Sequence, residues 1–396
     1  MTLQDQDIPC RPPASAPAPA PAPAGTVTVG HDELLAAATT ALTDRGVPAG
    51  RARTAADALC YGDLAGLGSH GTFNLARLYL PLLASGRADP AAEPRTVTDL
   101  GACVLLDSRR ALGLWAAAEA MDLAAERARR HGVGLVSVRN ATHFGCAGYH
   151  AARAARQGMI GVLAGNCGGQ RIARPPRGLL AMLGTNPLSV AAPALDDRPF
   201  VLDMSTTVVP TGRIRTAARA GESVPAGWLE DAHGAPVTDP AAFDRGEAYL
   251  RWLGGDAETG AFKGYGLGLA VEVLAALLPG AQVGPAREAL DGDGRPHGRD
   301  DGVGFLALAV APGALRGAED FREDARALFT TLTRCPSSDG GTMVRYPGWW
   351  EAERAHARRR DGIPLPAHLY DELAGLGLLP VRDGAQSRSR TRGGER

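Results

Sequence analysis

Lysine is almost absent from this chain: of its 42 lysines and arginines, one alone, Lys263, is lysine. A drift this strong replaces lysine wherever arginine will serve, so the survivor marks a place where a planar guanidinium cannot stand in for a compact ammonium. Its surroundings, Gly260 to Gly266, read as a glycine-rich loop that brings backbone and one ammonium close to a bound anion. The competing reading is chance survival on a solvated loop. Long apolar runs are also missing. The best stretch, Leu267 to Leu278, is short and carries Glu272, so it reads as a buried helix and not as a membrane span. Charge excess is missing too: a formal net charge of −1 argues against nucleic acid as the main partner, since phosphate binding needs a concentrated basic face. The six cysteines (Cys10, Cys60, Cys103, Cys146, Cys167, Cys335) show no C-x-x-C and no metal-ligand spacing. No metal site is expected, and reduced thiols in a cytoplasm are. The N-terminus has neither the basic nor the apolar region of a secretory signal.

What is present is enough for a large core. At 396 residues and 45% apolar, the chain is expected to make two lobes. Residues 1–25 are dominated by alternating Pro and Ala and read as a disordered arm; residues 386–396, polar and basic, read as a disordered tail. Helices are expected over Asp32–Arg45, Arg51–Ala65, Leu75–Leu83, Leu112–His131 and Tyr149–Gln157. Strands are expected at Val104–Leu106, Gly134–Val138, Ile160–Ala164, Pro187–Ala192, Phe200–Met204 and Phe305–Val310. The fold class is α/β, with helical ends.

Gly66-Leu67-Gly68-Ser69-His70-Gly71 matches the G-x-G-x-x-G dinucleotide fingerprint, but the match fails on context. The fingerprint needs a strand before it and a helix directly after, and here a helix precedes it. Inside this decoy, His70 suits proton transfer to a carbonyl oxygen, or equally a capping role. Asn140 to Tyr149 runs from a strand into a helix and presents His143, a second acid/base or a hydrogen-bonded core residue. Gly184-Thr185-Asn186-Pro187 and Asp203-Met204-Ser205-Thr206-Thr207 adjoin strands; such side chains bind ribose or phosphate oxygens, or satisfy their own turns.

The order of these motifs resembles the type-2 malate/L-lactate dehydrogenase family, which includes ureidoglycolate dehydrogenase, diketogulonate reductase and cyclic-imine reductases. The succession is SHG, N-x-x-HFG-x-AGY, GTNP, DMSTT, Gly227-Trp228-x-x-Asp231 with Thr238-Asp239-Pro240, KGYGL-x-L-x-VE, and Tyr346-Pro347-Gly348, running from about His31 to Leu379. The resemblance implies an NAD(P)-dependent oxidoreductase, usually a homodimer, on a cofactor fold that is not Rossmann. It implies a helical part at 26–95, a cofactor-binding α/β domain at 96–285, and a C-terminal part at 286–385 packing on the N-terminal helices.

Carried across by position, His70 matches the proton donor/acceptor and His143 a histidine given that role in some members. Asp203, Met204 and Ser205, with Asn186, fall where the cofactor is contacted; Phe262 and Lys263 match a second contact, and Pro347 and Gly348 a third. Asp203 is also expected to orient a histidine. Ser69, Asn74 and Arg77 fall on the substrate side. Three departures stand out. Asn74 replaces an arginine able to hold a substrate carboxylate, a charge-assisted contact of roughly 1.5–3 kcal/mol. Trp349 and Trp350 replace a Pro-Gly-Glu glutamate, and Arg213 replaces a lysine. The expected reaction is hydride exchange between NAD or NADP and a small 2-hydroxy or 2-keto acid. The alternatives are a ketimine or cyclic-imine reductase, and a non-catalytic cofactor-binding or scaffold protein.

Overall fold

The structure, a computed structural model, describes residues 25–256, 258–296, 301–338 and 343–382. The expected Pro/Ala arm and basic tail lie outside the described residues. The chain opens with β1 (Thr26–Val29), α1 (His31–Thr43) and α2 (Ala49–Ala65), then a π turn (Leu75–Tyr79) running into α3 (Leu80–Ala84). α2 stops at Gly66, whose φ of 82° is the left-handed conformation that glycine adopts without strain.

The body is laid out by β2 (Arg95–Asp99), β3 (Cys103–Asp107), α4 (Gly113–His131), β4 (Val133–Ala141), α5 (Ala147–Ala155), β5 (Ile160–Gly165), β6 (Leu188–Leu195) and β7 (Arg198–Met204). Next come α6 (Thr211–Ala220), β8 (Leu229–Glu230), β9 (Pro236–Val237), α7 (Ala241–Asp244), β10 (Tyr249–Leu250) and α8 (Ala261–Glu272). The chain closes with β11 (Val303–Val310), α9 (Ala318–Thr333), α10 (Trp349–Asp361), β12 (Ile363–Pro366) and α11 (Ala367–Gly375).

The main sheet has seven strands in the order β2-β3-β4-β11-β5-β6-β7. Only β3 and β4 run parallel; every other neighbouring pair is antiparallel. This mixed α/β sheet is not a doubly wound Rossmann sheet, in agreement with the failed fingerprint. β11 reads VGFLALAV and is buried almost throughout. A continuous apolar run is what a strand covered on both faces requires, and it explains why β11 takes the centre. The sheet therefore draws its middle strand from beyond residue 285, where the sequence reading placed the end of the α/β body. Pairing in space, not position along the chain, decides the division.

The helical ends come together as expected. β1 pairs antiparallel with β12, and Ala355 of α10 and Leu369 and Leu373 of α11 share one buried cluster with α1 and α2. α4 crosses the same core with Trp115 and Met121 fully buried.

Two expectations about the glycine-rich segment are corrected. Lys263 lies in the first turn of α8, not in a loop. The glycines are there for close packing: a Cβ on Gly264 would stand 2.4 Å from the Leu253 carbonyl oxygen, and one on Gly268 2.8 Å from the Trp252 ring. Nor is Leu267–Leu278 a buried helix. Small residues and Glu272 face inward, while Leu277 and Leu278 are 64% and 54% exposed.

Candidate active site

His70 sits on a single 3₁₀ turn, Gly68–His70, directly after the end of α2. The Ser69 hydroxyl meets His70 Nδ1 at 3.0 Å, which leaves Nε2 as the ring nitrogen available to a substrate. The ring is half-buried, and burial, then the neighbouring His143, lower its pKa to about 4. At neutral pH it is therefore an uncharged imidazole. Asn74 Nδ2 donates to the Ser69 carbonyl at 2.8 Å, so this amide closes the histidine's own turn. α6 packs on the other side: a Cβ on Gly212 would stand 2.6 Å from the Ser69 Cβ.

The second histidine comes from the turn between β4 and α5. Its ring lies 5.9 Å from that of His70, inclined by 21°. Gly145 N–H donates to His143 Nδ1 at 3.2 Å, and the Tyr79 hydroxyl meets the same nitrogen at 2.7 Å. A backbone N–H can only donate, so Nδ1 is an acceptor and the neutral ring carries its proton on Nε2. His150, which the sequence reading did not single out, braces this turn by donating from Nε2 to the Phe144 carbonyl at 2.8 Å. Its burial lowers its pKa to about 4, the signature of a histidine held neutral.

Asp203 ends β7 and accepts the Gly148 N–H at 2.7 Å, in the first turn of α5. The expectation that it orients a histidine directly is corrected: among the described residues its hydrogen-bond partner is that backbone, so it bears on His143 only through the turn. Burial, and the Glu351 charge nearby, raise its carboxyl to about 6. Glu351 follows the tryptophan pair, so a carboxylate does approach this place although Trp349 and Trp350 displace it along the chain. Pro347 offers its carbonyl to Val201 N–H at 3.0 Å, and a Cβ on Gly348 would stand 2.7 Å from Val201 N; together they cover the β7 edge.

The remaining residues divide into two groups. Asn186, fully buried at the start of β6, donates to the Gly268 carbonyl at 3.0 Å and so ties α8 to the sheet. Its Oδ1 has no hydrogen-bond partner among the described residues. The Ser205 hydroxyl donates to the Thr207 carbonyl within its own turn, while the Thr206 hydroxyl donates to the Thr185 carbonyl and ties this turn to the Gly184–Pro187 segment. Met204 is half-buried beside them. Lys263 and Phe262 are exposed, the ammonium 5.7 Å from the Phe262 ring, and no hydrogen bond or ion pair joins Lys263 to either histidine among the described residues. α6 stands between the two regions: Gly212 abuts Ser69, while Ile214 shares an apolar cluster with Ala261 and Tyr265 of α8. Arg77 is turned away, paired with Glu372 at 3.1 Å and stacked on Phe73. No group of three or more metal-ligating side chains occurs among the described residues.

Two imidazoles face one another, each fixed through Nδ1. That geometry serves proton transfer at a small polar substrate. The family model for malate/L-lactate dehydrogenase matches residues 29–374. The chain belongs to this family. The L-sulfolactate dehydrogenase of Methanocaldococcus jannaschii is 34% identical over 328 residues, 83% of this chain and 90% of that protein. The crystal structure of malate dehydrogenase from Entamoeba histolytica superimposes with a TM-score of 0.82 at 29% identity, covering 89% of this chain and 97% of that one. The Δ1-piperideine-2-carboxylate reductase of Pseudomonas syringae gives 0.75 at 26% identity, covering 89% and 100%. The protein is thus an oxidoreductase of the NAD(P)-dependent malate/lactate dehydrogenase kind, as the motif order implied. No described helix is long and apolar enough to cross a membrane.

Proposed function

We propose that the protein interconverts a small 2-hydroxy acid and the matching 2-keto acid, with His70 as the proton donor and acceptor. The observation that carries this reading is the neutral, half-buried His70 ring, anchored by Ser69 through Nδ1 and facing His143 at 5.9 Å. In oxidation His70 Nε2 takes the substrate hydroxyl proton; in reduction it returns that proton to the oxygen. His143, with its proton on Nε2, donates a hydrogen bond to the same oxygen, and takes the proton-transfer role only if its tautomer reverses. Bound NAD or NADP supplies or accepts the hydride at its nicotinamide. The structure fits such a cofactor in two places. Lys263 offers an ammonium in the first turn of α8, where the helix dipole also favours phosphate, and Asn186 holds a buried acceptor with no partner among the described residues. Phe262 and Lys263, the Asp203–Ser205 segment with Asn186, and Pro347–Gly348 would hold it, while Ser69 would lie on the substrate side; Arg77, paired with Glu372, would not.

His70→Asn should leave folding and cofactor affinity in place and cut kcat by about 10²–10⁴. Undiminished turnover in that variant removes His70 from the chemistry and promotes His143. A reduced-cofactor thermal-shift titration reports binding separately, since a ligand of the native state raises its stability by mass action.

A second reading, reduction of a cyclic imine, is favoured by Asn74: its amide is spent on Ser69, so that position offers no guanidinium to a carboxylate. A panel of 2-keto acids and cyclic imines with NADH and NADPH separates the two. We also propose a homodimer joined through the apolar outer face of α8 and the following π turn, where Val273, Leu274, Leu277 and Leu278 are exposed together. A monomer in light scattering would remove it. The five described cysteines form no disulfide, which suits a reducing cytoplasm.

A further inference from the structure

The turn that carries His70 is not held by its own residues alone. Asp63, in the last turn of α2, is 4% exposed, and its Oδ2 accepts the backbone N–H of Thr72 at 2.8 Å. The carboxylate lies so tightly under Gly71 that a Cβ there would stand 2.1 Å from Oδ1. One residue earlier, a Cβ on Gly62 would stand 2.8 Å from Gly71 N, so α2 and the histidine turn touch backbone to backbone. The turn Ser69–Thr72 is thus clamped at one end by Asp63 and at the other by the Asn74 amide on the Ser69 carbonyl. The charged and titratable groups that face Asp63 are Cys60 on α2, Cys146 in the turn that carries His143, and Arg358 on α10, whose guanidinium donates to the Asp63 main-chain carbonyl.

Burial raises the Asp63 carboxyl to about 6, so an ionised group here is costly. Yet a carboxylate accepting a backbone N–H makes a hydrogen bond about twice as strong as a neutral acceptor does. The same arrangement recurs at the other histidine, where Asp203 accepts Gly148 N–H at the far end of the His143 turn. Each imidazole is mounted on a short irregular segment, and each segment is pinned by one carboxylate on a backbone amide.

We propose that Asp63 is a positioning residue: its carboxylate fixes the Ser69–Thr72 turn and so sets the direction in which His70 presents Nε2. The proposal rests on the reading of His70 as the proton-transfer group. Displacement of a reacting group by about 1 Å is enough to cost roughly 100-fold, so loss of the clamp acts on turnover more than on binding.

The test uses the full chain with Asp63→Asn and Asp63→Ala, assayed with the keto acid or imine found active in the panel and with NADH or NADPH. The His70 imidazole is followed in parallel by NMR on histidine-labelled protein, assigned with His70→Gln. Asp63→Asn is expected to lower kcat roughly 10- to 100-fold, to leave KM for the reduced cofactor within about two-fold, and to shift the His70 ring resonances and titration midpoint. Asp63→Ala is expected to lose at least as much. If the alanine variant does not fold, the asparagine variant, equal in size, carries the same readouts. Wild-type kcat in a folded Asp63→Asn protein overturns the proposal. So does a loss of kcat with His70 resonances unmoved, because the defect then lies elsewhere. Shifted His70 resonances in Asp63→Asn, together with full turnover in His70→Asn, would uphold the clamp and sink the assignment of His70.

Discussion

A single lysine among arginines is a statement about chemistry only if its charge has a task. Lys263 is exposed in the first turn of α8, where an ammonium and the helix dipole both favour an anion. Lys263→Met is expected to raise KM for NADH or NADPH by roughly 10- to 100-fold, the loss of one charge-assisted contact of about 1.5–3 kcal/mol, with kcat little changed. Lys263→Arg, which keeps the charge, should recover only part of the loss, because the planar fork differs in shape from an ammonium. Equal KM in all three proteins would return Lys263 to the status of a chance survivor. Residue type marked His70 and His143 as candidates for the chemistry, but not that each would be fixed through Nδ1. Those partners, Ser69, Gly145 and Tyr79, are set by turn geometry and by a residue 64 positions away. Arg77 was legible as a charge and not as a partner of Glu372, which lies 295 positions distant.

Elements were legible where their pattern was strong. α4 and β4 lie within a residue or two of expectation at most ends, since alanine-rich periodicity and an apolar strand leave few alternatives. α8 was misread because glycine in sequence signals either flexibility or close approach, and only the neighbours Leu253 and Trp252 tell which. Its burial was misread for a related reason. Eleven of the twelve residues Leu267–Leu278 are apolar or glycine, and the one charge, Glu272, faces inward, so no polar face marks the outside and the sequence cannot say which side meets the sheet. The exposed side is the proposed dimer contact. Leu277→Arg, a charge in the middle of that patch, is expected to convert a dimer to monomers in light scattering while leaving the far-UV circular dichroism spectrum unchanged. A dimer that survives this change with full stability would place the contact elsewhere.

At the scale of the whole molecule, four groups with shifted pKa values oppose one another in pH. Asp63 and Asp203 are raised to about 6, so the native state keeps their protons where the unfolded chain releases them near 4. Their ionisation penalty is absent below pH 4, and stability is lost as pH rises through about 6. His70 and His150 are lowered to about 4, so the unfolded chain takes up protons below 6.5 while the native state resists them. Their contribution is fully present above pH 6.5 and is lost as pH falls toward 4. Two groups of each kind largely cancel between pH 4 and 6.5. Asp63→Asn removes one side of that balance. Its stability relative to wild type should improve by up to about 3 kcal/mol as pH rises from 4 to 7, less the weakened Thr72 hydrogen bond. Urea denaturation at the two pH values measures this; parallel curves for the two proteins would mean that Asp63 stays ionised throughout.

The amino-acid sequence by itself determined the class of fold, the family through the order of seven motifs, and the residue types able to move a proton and hold a dinucleotide. These are local properties: propensity, periodicity and the side-chain chemistry each position carries. Tertiary structure alone decided that β11 enters the middle of the sheet, that α8 turns its leucines outward, and that Asp63 and Asp203 each pin a histidine turn. Those facts depend on which backbone amide meets which carboxylate across tens of residues. Such a meeting is fixed by packing, because a buried polar group must find a partner in space wherever the chain happens to bring one.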